Sequence, residues 1–573
     1  MANMLNLKLN GQAIQAPSGS TVLDAAKSAG IYIPTLCHHP ALENLGACRM
    51  CVVEIEGEKA LQPSCTYPVR EGMSIKTDTP RVLKLRKFVL EMLFSERNHY
   101  CMFCEMSGDC ELQNLAYQYG LDHWTYPTPN PRLSVDGTRK FFIMDHNRCI
   151  LCRRCIRACS DIVANHTLGV KFRGAKTMIS ADMGVPFGSS SCVSCGTCLQ
   201  VCPTGALVDR KSAYMGRNID TQKISSQCSF CSIGCSMQII KRGGRVLRVE
   251  GDWQGANQGV LCHVGRFDPF YDTRDRVLSP MIRKGASLVP VSWEEALNCI
   301  AGKIKEIGQD KVKAWITTKA LKESMDAFVN VFEKKIGIPI GALESTLLDL
   351  NLPVNGTLSD IDHSNCILIV GTDPLIQHLV LGYRVKRARN HGTKIIQVGG
   401  DIKNGIGRYA HIKFEFSNLD DALKICLDSE MPVVLYGEGL GITNAEKLKK
   451  LESKAKFIPL FPASNGHYAR ELGLQNGVKR DHAYMMYVLL EDLELREETI
   501  QTLKKSEFVV AHSSYLGAVS EFADVILPAP LWYEREGTFV NSEGQLISVK
   551  AAMNMPETVI SEADALNLLA QRF

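Results

Sequence analysis

Nineteen of the chain's 22 cysteines lie before residue 263, in short regular spacings. Thiolates so placed are what iron–sulfur clusters take as ligands. The strongest pattern is C-x2-C-x2-C-x3-C at Cys149, Cys152, Cys155 and Cys159, repeated at Cys192, Cys195, Cys198 and Cys202, with Pro203 closing the second run. In this type of fold the fourth cysteine of each run serves the other cluster. The expected sets are therefore Cys149, Cys152, Cys155 and Cys202 for a first [4Fe–4S] site, and Cys192, Cys195, Cys198 and Cys159 for a second. Two clusters held so close suit electron transfer rather than bond chemistry.

Three further groups accompany this pair. Cys37, Cys48, Cys51 and Cys65 follow C-x10-C-x2-C-x13-C, which can supply the four thiolates of a [2Fe–2S] cluster although it differs from the plant-type run. A structural zinc site fits poorly, because its ligands usually come as two compact pairs. Cys101, Cys104 and Cys110 lack a fourth thiol, and His99 is the nearby candidate. A histidine ligand leaves a cluster less negative than four thiolates do, so its potential should differ from its neighbours'. Cys228, Cys231 and Cys235, joined by Cys262, form a fifth cluster-type spacing. The remaining Cys299, Cys366 and Cys426 are isolated and are expected to be packing residues.

Local elements must hold these groups. Leu5, Leu7 and Leu9 alternate, Asn10-Gly11 supplies a tight turn and Ile14 resumes a strand. Met1 to Leu7 also lacks a charged-then-apolar signal segment and twin arginines. Thr21 followed by Asp24 predicts a helix start, running on to Gly30. Residues 79–95 predict an amphipathic helix with Val82, Leu85, Val89, Met92 and Leu93 on one face. Arg242-Gly243-Gly244-Arg245 reads as a hairpin turn before a strand at Val246–Val249. Farther on, apolar strands ending in turns at 367–371, 394–399, 433–437 and 525–528 alternate with helical segments, which implies open α/β layers. Gly405-Ile406-Gly407-Arg408-Tyr409-Ala410 and Gly437-Glu438-Gly439-Leu440-Gly441 lack a full strand–turn–helix context and read as ordinary loops. The basic run Arg384 to Arg389 reads as a solvated helix face.

A chain of 573 residues exceeds one core and implies several domains. Its formal charge of +4 favours no particular partner, and no basic run interleaved with aromatics points to nucleic acid. No window approaches a membrane helix in apolar length. Tight CxxC spacing reads as metal binding in a reducing cytoplasm rather than as disulfides.

The ordered groups resemble the large iron–sulfur (75 kDa-type) subunit of respiratory complex I. The run Arg97-Asn98-His99-Tyr100-Cys101 is similar to the iron–sulfur subunits of soluble NAD-dependent or electron-bifurcating hydrogenase and formate dehydrogenase complexes. The commoner family pattern puts its histidine where this chain has Arg97. The resemblance implies a multidomain α+β and α/β chain. Its parts would be a β-grasp [2Fe–2S] ferredoxin domain (1–78), a His/Cys [4Fe–4S] helical domain with three thiols (79–120), a double [4Fe–4S] ferredoxin domain (138–215), a four-cysteine [4Fe–4S] domain (221–277) and a truncated molybdopterin-oxidoreductase-like α/β region (278–573).

Ser292-Trp293-Glu294-Glu295-Ala296-Leu297 and Glu536-Gly537-Thr538-Phe539-Val540-Asn541 resemble motifs of the molybdopterin superfamily. Active members carry a lysine where this chain has Val264 and a metal-ligating residue where it has Ala320. The chain also stops at Phe573, before the domain that covers the pterin. The expectation is therefore one [2Fe–2S] and four [4Fe–4S] clusters without molybdopterin. The chain would be an electron-relay subunit, not catalytic alone, in a soluble NAD(P)H-linked complex. Implied partners are a flavin-containing NAD(P)H-oxidising subunit with a small [2Fe–2S] companion, and a hydrogenase, formate dehydrogenase or ferredoxin-linked module; bifurcation is a further expectation. The alternative is a small catalytic molybdopterin-dependent formate dehydrogenase.

Overall fold

The structure is a computed structural model that describes residues 3–127, 132–401, 403–475 and 483–573. Met1 and Ala2, part of the expected first strand, lie outside the described residues. The chain divides into two compact units, Met1–Gln222 and Lys223–Phe573.

In the first unit, strands Met4–Leu9 and Gln12–Pro17 pair antiparallel around Asn10 and Gly11, which both take positive φ (51° and 85°) as the tight turn requires. They join Ser74–Lys76, Val52–Ile55 and Gln62–Pro63 in a five-stranded sheet. Helix Val22–Ser28 starts on the expected capping box, in which Thr21 Oγ1 accepts from Asp24 N and Asp24 Oδ2 accepts from Thr21 N. Leu7, Leu9, Val22, Ala26, Val53 and Ile75 fill the core beneath, together with Cys51 and Cys65.

The second helix spans Pro80–Glu96, and its most buried residues are Val82, Arg86, Leu90 and Phe94, with Leu85, Val89, Met92 and Leu93 of the expected row half-buried beside them. Arg86 is the charged member of that set. Its guanidinium donates to the carbonyls of Met50 (3.1 Å) and Val52 (2.8 Å) and to Tyr119 Oη (3.1 Å). A charged side chain thus tolerates burial because its donors are used. Farther on, strand Phe142–Asp145 lies between Leu207–Asp209 and Val135–Asp136, and Leu168–Lys171 pairs with Met178–Ala181 as a separate hairpin.

The second unit opens with strands Gln222–Gln227, Ser236–Arg242 and Arg245–Gly251, the last two turning at Gly243. A seven-stranded sheet follows, with Val525–Pro528, Phe508–Ser513, Met485–Glu491, Val312–Ile316 and Ile340–Ala342 running parallel in that spatial order. A second, all-parallel sheet orders Ile412–Phe414, Lys394–Val398, Cys366–Val370, Pro432–Tyr436 and Lys456–Pro459. Its strands are almost wholly apolar, as parallel sheets covered on both faces must be. Helix Trp293–Ile307 starts on Ser292, whose Oγ accepts from Glu295 N at 3.1 Å.

The basic run Arg384 to Arg389 is not a solvated face. Arg384 and Arg387 both pair with Asp362 (2.5 and 3.0 Å), and Lys386 is buried. Among the described residues no helix is long and apolar enough to cross a membrane.

Candidate iron–sulfur sites

Several of the expected thiols stand near one another, although among the described residues no group of three or more Cys, His, Asp or Glu side chains is set to hold a single metal ion. Cys202 lies within electrostatic reach of Cys149, Cys152 and Cys155, and Cys159 within reach of Cys192 and Cys198. These proximities favour the crossed sets, with Cys159 also within reach of Cys155 of its own run. Cys155 and Cys198 also sense each other, so the two groups adjoin.

The local backbone is repeated as well. Leu151 N points at Cys149 Sγ and Ser194 N at Cys192 Sγ, each at 3.4 Å. Leu151 and Arg153 flank Cys152 at φ 53° and 58°, and Ser194 and Gly196 flank Cys195 at 54° and 72°. Left-handed residues other than glycine are uncommon. Here they turn the chain tightly enough to aim amides and thiols inward.

Burial pushes Cys149 up to about 11 and Cys152 up to about 12. It pushes Cys155 and Cys198 well above the ordinary thiol value. Thiolates at such positions need positive charge beside them, which iron supplies.

In the first domain the four thiols form two pairs. Cys48 hydrogen-bonds to Cys37 and holds it down to about 5, while Cys65 holds Cys51 down to about 7. Cys48 N also donates to Cys37 Sγ at 3.5 Å, and Arg49, next along the chain, takes φ 61° on the way to Cys51. Two pairs of thiols match the donor set of a two-iron cluster.

His99, Cys101, Cys104 and Cys110 line one small pocket with Phe94, Arg148 and Gly205. His99 Nε2 donates to the Leu93 carbonyl at 3.1 Å, which leaves Nδ1 as the nitrogen with a lone pair. Burial, reinforced by Arg148 and Arg97, lowers its pKa to about 4, so the ring is neutral and able to ligate. Arg97 is buried and donates to the His146 and Thr177 carbonyls (2.9 and 2.6 Å).

Cys228, Cys231, Cys235 and Cys262 likewise sense one another, and burial raises all four. Cys262 precedes the helical turn His263–Arg266, and a Cβ on Gly265 would stand 2.9 Å from Cys228 Sγ. Sequence reasoning missed Lys319. It stands over Phe230 at 5.9 Å, favours the Cys228 thiolate and pairs with Asp492 at 3.4 Å. A cation is thus present near this site, from the end of strand Val312–Ile316 rather than from position 264. No local pattern announces it. Sequence reasoning also missed that Cys366 and Cys426 are neighbours, their sulfurs 3.9 Å apart in the all-parallel sheet's core.

The first unit also ties its sites to one another. Cys48, Cys101, Cys110 and Cys152 pack around one apolar cluster that includes Leu36, Met50 and Ile150. Arg157 donates to the carbonyls of Cys37 and Glu43. Arg154 forks onto Glu111 at 2.6 and 2.8 Å, and Glu111 N donates to the Pro203 carbonyl. A Cβ on Gly205 would stand 2.5 Å from Cys104 Sγ.

Thiol groups of this kind, with backbone amides aimed at some of the sulfurs, are the donor sets that iron–sulfur clusters take. In order along the chain, residues 2–80 match the 2Fe-2S iron-sulfur cluster binding domain and 86–124 the NADH-ubiquinone oxidoreductase-G iron-sulfur binding region. Residues 141–208 match the ferredoxin-like domain of NADH-quinone oxidoreductase subunit 3. Residues 221–270 match the molybdopterin oxidoreductase Fe4S4 domain and 276–572 molybdopterin oxidoreductase itself. The chain belongs to the family of the large iron–sulfur subunit of complex I.

It is 32% identical to the second G-type subunit of NADH-quinone oxidoreductase from Rhizobium meliloti, over 69% of this chain and 48% of that one. It is 31% identical to the NADPH-Fe(3+) oxidoreductase subunit alpha of Geobacter sulfurreducens, over 72% and 50%. The chain thus spans about half the length of these two relatives. Among solved structures, a chain of NAD+-reducing [NiFe]-hydrogenase matches with a TM-score of 0.34 and 35% identity, over 37% of this chain and 90% of that one.

Proposed function

We propose that this chain is the electron-relay subunit of a soluble NAD(P)H-linked oxidoreductase complex, working in the cytoplasm. It would hold one [2Fe–2S] cluster on Cys37, Cys48, Cys51 and Cys65, and a [4Fe–4S] cluster on His99, Cys101, Cys104 and Cys110. Two more would sit on the crossed ferredoxin sets, and a fifth on Cys228, Cys231, Cys235 and Cys262. Such clusters carry single electrons at potentials set by ligand type, burial and hydrogen bonds to sulfur. The protein's own part is to hold them close, keep His99 neutral and aim amides at Cys37, Cys149 and Cys192.

The observation that supports the reading is the spacing of 19 cysteines in five groups along the sequence, four of them within Met1–Gln222. A flavin-containing NAD(P)H-oxidising subunit with a small [2Fe–2S] companion would feed them. A hydrogenase, formate dehydrogenase or ferredoxin-linked module would stand at the other end.

The molybdopterin oxidoreductase match raises the question of a pterin. Three features support a scaffold instead. Ala320, at the expected metal-ligand position, is fully buried and its carbonyl accepts from Asn465 Nδ2 at 2.8 Å. In the all-parallel sheet, ligands would enter where strand order reverses, between Cys366–Val370 and Pro432–Tyr436. There Gly439 N donates to the Gly371 carbonyl at 2.9 Å, so the two loops close directly on each other. Behind Lys319 the interior is filled by the Glu491–Arg535 ion pair, with Glu562 beside it. These residues do not fit a pterin-held metal.

The test is anaerobic reduction by NADH, followed by electron paramagnetic resonance, of the chain alone and of the assembled complex. The account predicts cluster signals only when the flavin subunit is present. Direct reduction of the chain alone by NADH, or formate oxidation by it, would overturn the reading.

A further inference from the structure

The second ferredoxin site has its own exit to the surface. The first site adjoins both the [2Fe–2S] loop and the His/Cys group, through Arg157, Pro203 and the apolar cluster that contains Cys152. Cys192 and Cys195 lie outside that cluster and are only partly buried. What is built on them is the hairpin Leu168–Lys171/Met178–Ala181. Asn165 N donates to the Cys159 carbonyl at 2.8 Å, and Asn165 Nδ2 to the Ser191 carbonyl at 3.0 Å. Asp182 accepts from both Ser191 N (2.7 Å) and Ser191 Oγ (2.8 Å), next to Cys192. Both ends of the hairpin are therefore fastened beside thiols of the second site.

The hairpin and the turn after it carry exposed apolar side chains. Phe172 is 66% exposed and Met183 wholly so, with Val170 and Val185 also exposed. Phe172 holds φ at 63°, a genuine outlier for so bulky a residue, of the kind that gathers at binding sites. Charge in the hairpin is one-sided. Lys171, Arg173 and Lys176 face a single acid, Asp182, whose carboxylate is already used by Ser191. Exposed apolar side chains interspersed with basic ones, Lys171 lying over the Phe172 ring at 5.6 Å, suit a brief encounter with an acidic protein, and redox encounters use small interfaces.

Resting on the relay reading above, we propose that this hairpin is the docking surface for a small acidic one-electron carrier of the ferredoxin type, exchanging electrons with the second [4Fe–4S] site as a side branch of the wire. One electron leaves the reduced carrier and reduces the site by one, or the reverse. No bond forms and no proton moves.

The test is calorimetric binding of an oxidised, acidic two-[4Fe–4S] ferredoxin to the iron-loaded full chain at low and high salt. Arg173→Glu/Lys176→Glu changes two exposed side chains and should weaken binding by about tenfold or more at low salt, within the range electrostatic steering commands. Met183→Ala should weaken binding without altering its salt dependence. Two controls set the comparison: Lys8→Glu/Lys27→Glu, an equal charge change in the first domain, and a basic cytochrome c in place of the ferredoxin. Unchanged ferredoxin binding in Arg173→Glu/Lys176→Glu, equal weakening in the control variant, or equal binding of the cytochrome would overturn the docking surface and leave the relay reading intact. A chain that takes up no iron would overturn the relay reading, and the branch with it.

Discussion

The crossing of ligands between the two ferredoxin runs can be tested by counting iron in paired variants. One [2Fe–2S] and four [4Fe–4S] clusters amount to about 18 irons per chain. The structure groups Cys202 with Cys149, Cys152 and Cys155, and Cys159 with Cys192 and Cys198. Cys149→Ala/Cys202→Ala therefore removes two ligands from one site and should lose one cluster, leaving about 14 irons. Cys149→Ala/Cys159→Ala removes one ligand from each of two sites and should leave about 10. The assay is anaerobic purification, iron by mass spectrometry of the metal, and spin quantitation after dithionite reduction. The reverse pattern, about 10 irons in the first variant and about 14 in the second, would refute the crossed assignment. It would mean that each run closes on its own cluster, against the proximities seen here.

Other consequences follow from single contacts. His99→Ala should cost the His/Cys site its iron, about four irons per chain, whereas His99→Cys should keep them and lower that cluster's potential in a redox titration. Gly205→Ala would push a methyl group against Cys104 Sγ (2.5 Å) and should damage the same site while the other clusters remain by spin count. Arg535→Met would strand the buried carboxylate of Glu491 above pH 8, where that group is ionised, and should there cost about 3–5 kcal/mol, read as a lower thermal midpoint of the full chain. Burial pushes Glu491 up to about 8, so the stability tied to its proton is full below its unfolded value of about 4.3 and is lost as pH rises towards 8. Glu491→Gln should flatten that decline in thermal midpoints measured from pH 5 to pH 9.

Much of the fold could be read from residues in sequence because local physics dictated it. Asn10-Gly11 made its turn, Thr21 and Asp24 made their capping box, and the apolar strands of the α/β region fell within a residue or two of their expected places. Thiol spacings were equally plain, since spacing is a property of the chain itself. What escaped were long-range pairings. Arg86 reads as a polar gap in an amphipathic row until Met50, Val52 and Tyr119 are placed around it. Arg384 and Arg387 look solvated until Asp362 is folded against them. Lys319 and the Cys366–Cys426 pair depend on strand ends meeting distant segments, for which no window of sequence carries a signal.

The central claim is that this chain carries electrons on iron–sulfur clusters and has no pterin site of its own. The most direct measurement is the content of iron, molybdenum and tungsten per polypeptide in the anaerobically purified chain. The account predicts about 18 irons with neither molybdenum nor tungsten. Stoichiometric molybdenum or tungsten would contradict it and would make the region around Ala320 and Lys319 a catalytic centre.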